Sequence, residues 1–474
     1  MSKQGIEHTD VVVVGARCAG SATAIALTRR GRKVIALDGA SFPSDTLSTH
    51  LFFPNHWAEL ERLGARDRVM ALDPPLHTHA GLGTSAVEVV GPFRAYEGFA
   101  AGSCVRRPGL DQALVDTARD AGAEVRERTR VRDLVRDDAG RVVGVRYRTR
   151  DGVEGEIRAK LVVGADGRGS TIARLVGTRS HHEWENRRMM AFAYYDDPRE
   201  ADRHVAMQWR QDDELVTVFP CDGGQSLVLL MPPATRADEF RDDAEAAYEK
   251  TVAGVAPLAA RLERCTRASK IRASYTHPAY FRHSHGPGWA LTGDAGHFKD
   301  PVTAQGIRDA LRFGRLLGEA AAPALDDAAS LDLALQEWEA DRDAQCLAMY
   351  QWANGLGLAD DISPIENAAY RWFASRPGGP SDVLDVFSRR QAPAQVFSPA
   401  RVVRWVAQAA RDPAVPRQQL WSTLRRDVRR ELARIAEERR FARRRAASAR
   451  QPFVVPAPSV APADRPEAEP AVGV

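Results

Sequence analysis

The first forty residues alternate between short apolar runs and polar turns. Val11–Val14 is a run of β-branched residues, which predicts a strand buried on both faces. Ser21–Arg30 is small and apolar with a basic end, which predicts a helix that ends at Gly31. Lys33–Leu37 predicts a second strand, and Asp38 follows it. This order is a βαβ unit of the size found in dinucleotide-binding folds.

The same pattern returns further along the chain, interrupted by a segment of different character. Leu161–Val163 and 288–292 predict two more buried strands of the first domain, whereas residues 185–290 alternate as in an antiparallel sheet. Four strands are predicted there: Met190–Tyr195, His204–Trp209, Leu215–Phe219 and Ser226–Met231. Helices are predicted over Ile307–Ala322 and Leu331–Met349. The predicted boundaries are 8–75, 100–180 and 285–345 for a discontinuous α/β domain, 76–99 and 181–284 for an inserted sheet that binds substrate, 346–450 for a helical C-terminal region, and 451–474 for a disordered tail rich in Pro and Ala.

Composition narrows the class of protein. The chain has 474 residues, 44% of them hydrophobic, and a net charge of only +3, so no nucleic-acid partner is expected. Its five cysteines include no C-x-x-C pair, which favours a reducing cytoplasm and predicts neither a disulfide framework nor a metal site. No apolar run is long enough for an integral membrane segment. Nothing in the pattern indicates an oligomeric state.

The turn after the first strand has the features of a phosphate-binding loop. In Gly15-Ala-Arg-Cys-Ala-Gly20, Gly15 permits a sharp turn and Gly20 permits close packing of helix and strand, while Arg17 replaces the usual middle glycine. A helix N-terminus suits a pyrophosphate, and an acid after the second strand suits ribose hydroxyls. The dinucleotide-contacting residues predicted here are Gly15, Arg17, Cys18, Ala19, Gly20, Asp38 and Gly39.

Three later segments make the pattern specific. They are Arg107-Pro-Gly-Leu-Asp111, Gly164-Ala-Asp-Gly-Arg-Gly-Ser170, and Gly293-Asp-Ala-Gly-His297 with Asp300-Pro301 and Gln305-Gly306 after it. In order and spacing they resemble the signatures of the FAD-dependent monooxygenases in the para-hydroxybenzoate hydroxylase-like and geranylgeranyl reductase-like flavoprotein superfamily. The arginine that closes the second signature arrives one position late, at Arg174.

The resemblance implies a fold and a cofactor. The expected fold is α/β: a Rossmann-like FAD-binding domain, an inserted, mainly antiparallel β-sheet substrate domain and a helical C-terminal region. It implies that Asp294 holds ribityl or ribose hydroxyls and that Arg107 reaches the pyrophosphate. It also implies that the helix starting at Gly306 and Ile307 faces the flavin N1–C2=O edge, where its dipole stabilises negative charge. By position, Val131, Asp166, Gly167 and Gly293 complete the expected FAD contacts.

The resemblance also implies a reaction. NAD(P)H, bound transiently, reduces FAD, and O₂ then supplies an oxygen atom to a small apolar or aromatic substrate. The arginine-rich composition is typical of GC-rich genomes, where such enzymes tailor secondary metabolites. His50 and His297 are the candidate catalytic residues, with a purely structural role as the alternative for each. The expected substrate pocket contains Tyr194, Trp209, Phe219 and Pro220.

Several departures keep other functions open. Gly15–Gly20 and Asp300–Gly306 resemble the geranylgeranyl-reductase-like branch, which implies a reductase that acts on a double bond in a prenyl chain. In that case the basic C-terminal helix could touch a membrane surface through its stripe Leu420, Leu424, Val428, Leu432 and Ile435, although the favoured interpretation is a solvated helix whose stripe packs on the protein. A flavin-dependent halogenase is disfavoured because the chain has no W-x-W-x-I-P segment. A flavin-binding protein without turnover is the remaining alternative.

Overall fold

The computed structural model describes residues 3–448, so the predicted tail 451–474 lies outside the described residues. The strands are β1 (Lys3–His8), β2 (Val11–Val14), β3 (Val34–Leu37), β4 (Leu51–Phe52), β5 (Leu76–His77), β6 (His79–Thr84), β7 (Glu88–Pro92), β8 (Gly102–Cys104), β9 (Glu124–Arg126), β10 (Thr129–Arg136), β11 (Val142–Thr149), β12 (Glu154–Arg158), β13 (Leu161–Gly164), β14 (Ser180–Trp184), β15 (Met190–Asp196), β16 (Val205–Gln211), β17 (Glu214–Pro220), β18 (Gln225–Leu230), β19 (Thr266–Arg267), β20 (Arg272–Ser274), β21 (Ala279–Arg282), β22 (His285–Gly286), β23 (Trp289–Leu291) and β24 (His297–Phe298). The helices are α1 (Cys18–Thr28), α2 (Pro54–Leu63), α3 (Arg66–Met70), α4 (Arg107–Asp120), α5 (Thr171–Leu175), α6 (Ala237–Asp242), α7 (Ala244–Gly254), α8 (Ala256–Leu262), α9 (Gly306–Ala324), α10 (Ala328–Leu356), α11 (Pro364–Ala374), α12 (Gly379–Phe387), α13 (Pro393–Val396), α14 (Pro399–Arg411) and α15 (Arg417–Ser448).

A parallel sheet forms the centre of the first domain. Its order is β22-β23-β13-β2-β3-β9, and β2 lies in parallel register between β13 and β3. All four valines of β2 are buried, as a strand covered on both faces requires. Helices α1 and α9 pack together on one side, within the largest apolar core. The predicted βαβ unit is therefore confirmed.

A second, smaller sheet covers the other side of this domain. It has the order β1-β12-β11-β10, and β11 and β12 are antiparallel neighbours joined by a tight turn. Gly152 follows Asp151 in the turn and has a φ of +85°, which favours glycine.

The inserted segment forms an eight-stranded, mainly antiparallel sheet. Its main path is β19-β15-β18-β17-β16-β6-β7, with β20 paired to β15, and all four predicted strands take part. Alternate side chains of β15 enter different cores. Met190, Phe192 and Tyr194 face the core shared with the C-terminal helices, whereas Tyr195 faces the core under α6–α8.

The C-terminal region is helical and joins the first domain without a break. Helix α10 begins after the cap Asp327 and ends at Leu356, so it is longer than predicted and runs continuously through the expected boundary at 345–346. The small sheet β14-β21-β24 ties residues 180–184 to the third signature segment. Across residues 3–448, none of the helices combines the length and the apolarity that a membrane crossing needs.

Candidate flavin-binding site

A cleft of about 1300 Å³ lies where the carboxyl ends of β2, β3 and β13 meet. Ligands of open α/β sheets bind at this edge. Of the predicted contacts, these line the cleft: Gly15, Arg17, Cys18, Ala19, Asp38, Gly39, Arg107, Val131, Asp166, Gly167, Gly293, Asp294, His297, Gly306 and Ile307. Eight cationic and five acidic side chains are among the lining residues, so the cleft favours an anionic ligand.

The first turn leaves the backbone open toward the cleft. Gly15 has a φ of +94°, and a Cβ there would lie 2.5 Å from the carbonyl oxygen of Ala165. Gly20 lies beneath the turn, where a Cβ would come 1.8 Å from the carbonyl oxygen of Gly15. Helix α1 begins at Cys18 with no side-chain cap, so its first amide groups remain free for a ligand. This arrangement fits a pyrophosphate.

Two arginines share one buried carboxylate beside this turn. The Arg107 guanidinium donates to both oxygens of Asp111, at 2.8 and 3.0 Å, and Arg17 forms a salt bridge with Asp111 and donates to Ser44 Oγ at 2.9 Å. Burial alone would lower the pKa of Arg107, but Asp111 holds it above its usual value. The three side chains carry a net charge of +1, and they are rigidly held at the cleft wall.

Asp38 lies at the end of the cleft that would hold the adenosine. Its Oδ2 accepts a hydrogen bond from the backbone N–H of Ala16 and its Oδ1 accepts one from Ala40, each at 2.8 Å. These bonds fix the carboxylate, and its remaining lone pairs can accept ribose hydroxyls. Gly39 and Val131 line the cleft beside it.

Asp166 has a structural role in the second segment. It accepts hydrogen bonds from Ser170 Oγ at 2.5 Å and from the backbone N–H of Thr171 at 2.7 Å, so it orders the start of α5. Burial raises the pKa of Asp166. Its neighbours Gly167 and Arg168 also line the cleft, and Arg168 lies over the Phe298 ring at 5.2 Å.

The third segment turns sharply before α9. Residues Pro301–Thr303 form a 3₁₀ turn, Ala304 has a φ of +50°, and Gly306 starts the helix. Among the described residues, and apart from the adjoining backbone of its own helix, nothing lies within 4 Å of the position of a Cβ on Gly306, so a planar ring can approach this backbone closely. Asp294 lines the cleft on the same side, and burial raises its pKa.

A buried ionic cluster lies directly behind this turn, and the sequence motifs give no sign of it. Asp309, in the first turn of α9, forms salt bridges with Lys299, Arg308 and Arg389. Burial would raise the pKa of Asp309, but the three cations hold it well below its usual range. Because the cations outnumber the carboxylate, the cluster adds positive charge on the flavin side of the cleft.

The two candidate histidines occupy different places. His297 lines the cleft and packs against Phe281 at 4.4 Å between ring centroids, and burial lowers its pKa well below the usual value. His50 is fully buried behind the wall, where burial lowers its pKa to about 3. Its Nδ1 lies 2.7 Å from the Ser48 carbonyl and its Nε2 lies 3.0 Å from Tyr194 Oη. A carbonyl only accepts, so Nδ1 carries the proton and Nε2 accepts from the tyrosine.

The four predicted pocket residues separate in the structure. Tyr194 and Phe219 belong to the core on the cleft side of the sheet, and the carbonyl of Pro220 accepts a hydrogen bond from His77. Trp209 requires a correction, because it lies on the opposite face, where its Nε1 donates to Glu88 at 2.7 Å. Successive residues of a strand point to opposite faces, so the neighbouring residue Gln208 points toward the cleft side.

Asp300 is a further cleft residue that the motif reasoning did not select. It is 2% exposed, its Oδ1 accepts from the backbone N–H of Val302 at 2.9 Å, and burial raises its pKa to about 6. In the sequence it is marked only as the acid before Pro301 in the third signature segment.

The sequence is similar to those of known proteins. Residues 8–353 match a protein family described as an FAD binding domain. A menaquinone reductase from Mycolicibacterium smegmatis is 31% identical over 66% of this chain and 76% of its own length, and a digeranylgeranylglycerophospholipid reductase from Methanosarcina acetivorans is 27% identical over 70% and 78%.

Solved structures share the fold. The flavin-dependent brominase Bmp2 has a TM-score of 0.71 at 18% identity, covering 85% of this chain and 99% of its own. PqsL, described as a probable FAD-dependent monooxygenase from Pseudomonas aeruginosa, has a TM-score of 0.59 at 19% identity over 82% and 100%. With its βαβ turn, its three signature segments and its cationic cleft, the chain belongs to the family of flavoprotein oxidoreductases that carry this FAD-binding domain.

Proposed function

We propose that this protein is an FAD-dependent monooxygenase that uses NAD(P)H and O₂ to oxygenate a small, largely apolar substrate. The observation that carries this proposal is a narrow, mainly apolar chamber between the eight-stranded sheet and the turn 301–304, next to the flavin cleft. Its lining residues are Thr49, Leu51, Phe53, Gln208, Thr217, Phe219, Met231, Pro301, Val302, Thr303, Ala304 and Phe387.

The size and polarity of the chamber favour a compact substrate. Its free volume is about 20 Å³, roughly that of one water molecule, so a ligand enters only by displacing side chains. A small molecule requires less displacement than a large one. Thr303 Oγ1 is buried and has no hydrogen-bond partner among the described residues, so it can bind a polar group of the substrate.

Bound FAD supplies the electron transfer from NAD(P)H and the activation of O₂. The chain's own groups provide the surroundings. The apolar walls Phe219 and Phe387 exclude water from the chamber. Asp300, which lines the cleft, can hold or release a proton near neutral pH because burial raises its pKa to about 6. The neutral pair of His50 and Tyr194 fixes the sheet against the cleft wall.

The test follows the fate of oxygen. Purified holoenzyme is supplied with NADPH or NADH, candidate aromatic substrates and ¹⁸O₂, and NAD(P)H oxidation, H₂O₂ and labelled product are measured. A monooxygenase gives substrate-stimulated NAD(P)H oxidation with one labelled oxygen atom in the product. Reduced flavin that returns all its electrons as H₂O₂ with every substrate contradicts the proposal. A Phe219→Trp variant should reduce turnover by filling the chamber, whereas Trp209→Phe, on the other face, should not.

A second candidate is a reductase that acts on a double bond in a prenyl chain. The observation that favours it is the 31% identity to a menaquinone reductase. Anaerobic turnover of a polyprenyl quinone with a reduced flavin would support this function and exclude the requirement for O₂. If FAD binds but NAD(P)H never reduces it in the presence of any substrate, the protein is instead a non-catalytic flavin-binding protein.

A further inference from the structure

The last described helix, α15, is attached to the protein along one side only. Thr423 is buried on this side, Phe441 packs against the ring of His182 at 5.4 Å, and Glu437 accepts a hydrogen bond from Gln351 at 2.9 Å. Leu420 and Leu424, from the predicted apolar stripe, pack against the core beside α14. These contacts define an inward side and leave the opposite side to solvent.

Large apolar side chains occupy the outward side. Trp421, Val428 and Leu432 are 61%, 50% and 62% exposed, and at about 100° per residue they lie within one narrow stripe. Val403 of the neighbouring helix α14 is 68% exposed. The predicted stripe is therefore divided, because its first residues are packed while Val428 and Leu432 face water. A face of this kind indicates a partner with an apolar component.

The arginines of α15 divide in the same way. Those on the inward side are ion-paired: Arg426 and Arg430 with Asp360, and Arg434 with Glu431 and Glu438. The outward side carries five more, Arg417, Arg425, Arg429, Arg439 and Arg443, and within the described residues none of these five forms a salt bridge. Glu431 is the acidic residue of α15 that lies nearest to that face, and it is paired with Arg434. We call the exposed apolar stripe together with these five arginines the outward face.

We propose that the outward face of α15 docks the protein on an anionic lipid surface. An interfacial helix needs an apolar stripe that enters the boundary between headgroups and acyl chains, and flanking cations that bind lipid phosphates. Both are present on one exposed side of a helix that is already fixed to the folded protein. A nucleic acid would be bound by the arginines alone and would leave Val428 and Leu432 without a role. This inference is independent of the reaction at the flavin.

Vesicle flotation of the FAD-loaded, full-length protein tests the proposal. Vesicles contain either phosphatidylcholine alone or equal parts of phosphatidylcholine and phosphatidylglycerol, at about 0.15 M salt. The wild type should float with the anionic vesicles only. The variant R425Q/R429Q/R439Q should lose roughly 100-fold in affinity, since each surface arginine strengthens binding about fivefold. The variant W421Q/V428Q/L432Q should also lose binding, although its charge is unchanged.

A charge-matched control separates this face from bulk charge. The variant R66Q/R68Q/R119Q lowers the net charge of +3 by the same amount, at surface sites on α3 and α4, and should bind vesicles as the wild type does. Unchanged circular dichroism and bound FAD show that each variant is folded.

Four results would overturn the proposal: equal flotation with neutral vesicles, no flotation of the wild type at all, equal loss in both arginine variants, or a dimer that the apolar variant converts to a monomer. The last would identify a second copy of the chain as the occupant. Tight binding to duplex DNA that survives in the apolar variant, with no lipid binding, would identify a nucleic-acid surface.

Discussion

The buried carboxyl group of Asp300 should make the protein's stability depend on pH in a way that one substitution removes. The side chain is 2% exposed, and burial raises its pKa from 3.8 to about 6. Between these values the folded state binds a proton more tightly than the unfolded state, so the free energy of unfolding falls as the pH rises through this window. A shift of about two pKa units corresponds to about 3 kcal/mol. Above pH 6, ionised Asp300 therefore lowers the free energy of unfolding by about this amount.

Asp300→Asn keeps the oxygen that accepts from Val302 but cannot ionise. Its amide lies against Gly357, where an unpaired N–H costs about 1–3 kcal/mol at every pH. The absolute stability can therefore change in either direction, whereas its pH dependence has one expected sign. The free energy of unfolding of the variant, measured relative to that of the wild type, should rise by about 3 kcal/mol between pH 4 and pH 7.

Urea unfolding of the FAD-free protein, followed by tryptophan fluorescence from pH 4 to pH 8, measures this difference. Asp67→Asn is the matched control, because it removes the same charge from a side chain that is 95% exposed and should give no such slope. A stability difference between Asp300→Asn and wild type that is constant with pH, or that shrinks as the pH rises, would refute the reasoning.

Three further predictions concern the cofactor. Gly20→Ala should yield protein without bound FAD, since the new Cβ would lie 1.8 Å from a backbone oxygen, whereas Gly254→Ala, with open space around it, should retain normal flavin absorbance; a yellow Gly20→Ala protein would contradict this. Asp38→Ala should weaken FAD binding about 10- to 100-fold by fluorescence titration, because two hydrogen bonds to ribose are lost. An unchanged affinity would show that Asp38 only orders the loop. Lys299→Met should lower the flavin reduction potential in a spectroelectrochemical titration, because a cation lining the cleft is lost while Asp309 keeps Arg308 and Arg389. If the variant and the wild type have the same flavin reduction potential, the cluster lies too far from the flavin to influence it.

The cofactor half of the site could be predicted because its determinants are local. Each signature is a strand, a turn and a helix start within a few residues, so the sequence places Gly15 and Asp38 relative to one another before any tertiary contact is known. Most of the proposed contacts to the cofactor are made by the backbone, and the positions of the glycines indicate the conformation of that backbone. The ionic cluster around Asp309 escaped prediction because Arg389 reaches it from a distant part of the chain. No spacing rule connects such residues.

The proposed substrate chamber, in contrast, is formed by side chains from segments that lie far apart in the sequence. The strands β16 and β17 contribute only one or two side chains each to the chamber, so a shift of one residue moves a side chain to the other face, as Trp209 and Gln208 demonstrate. Aromatic character alone cannot select the correct face, because both faces of this sheet are buried. Phe387 closes the chamber from α12, which no motif marks. On the proposed function, specificity depends on how the C-terminal helices meet the sheet, so substitutions at Phe219 and Phe387 should change the preferred substrate while leaving FAD binding intact.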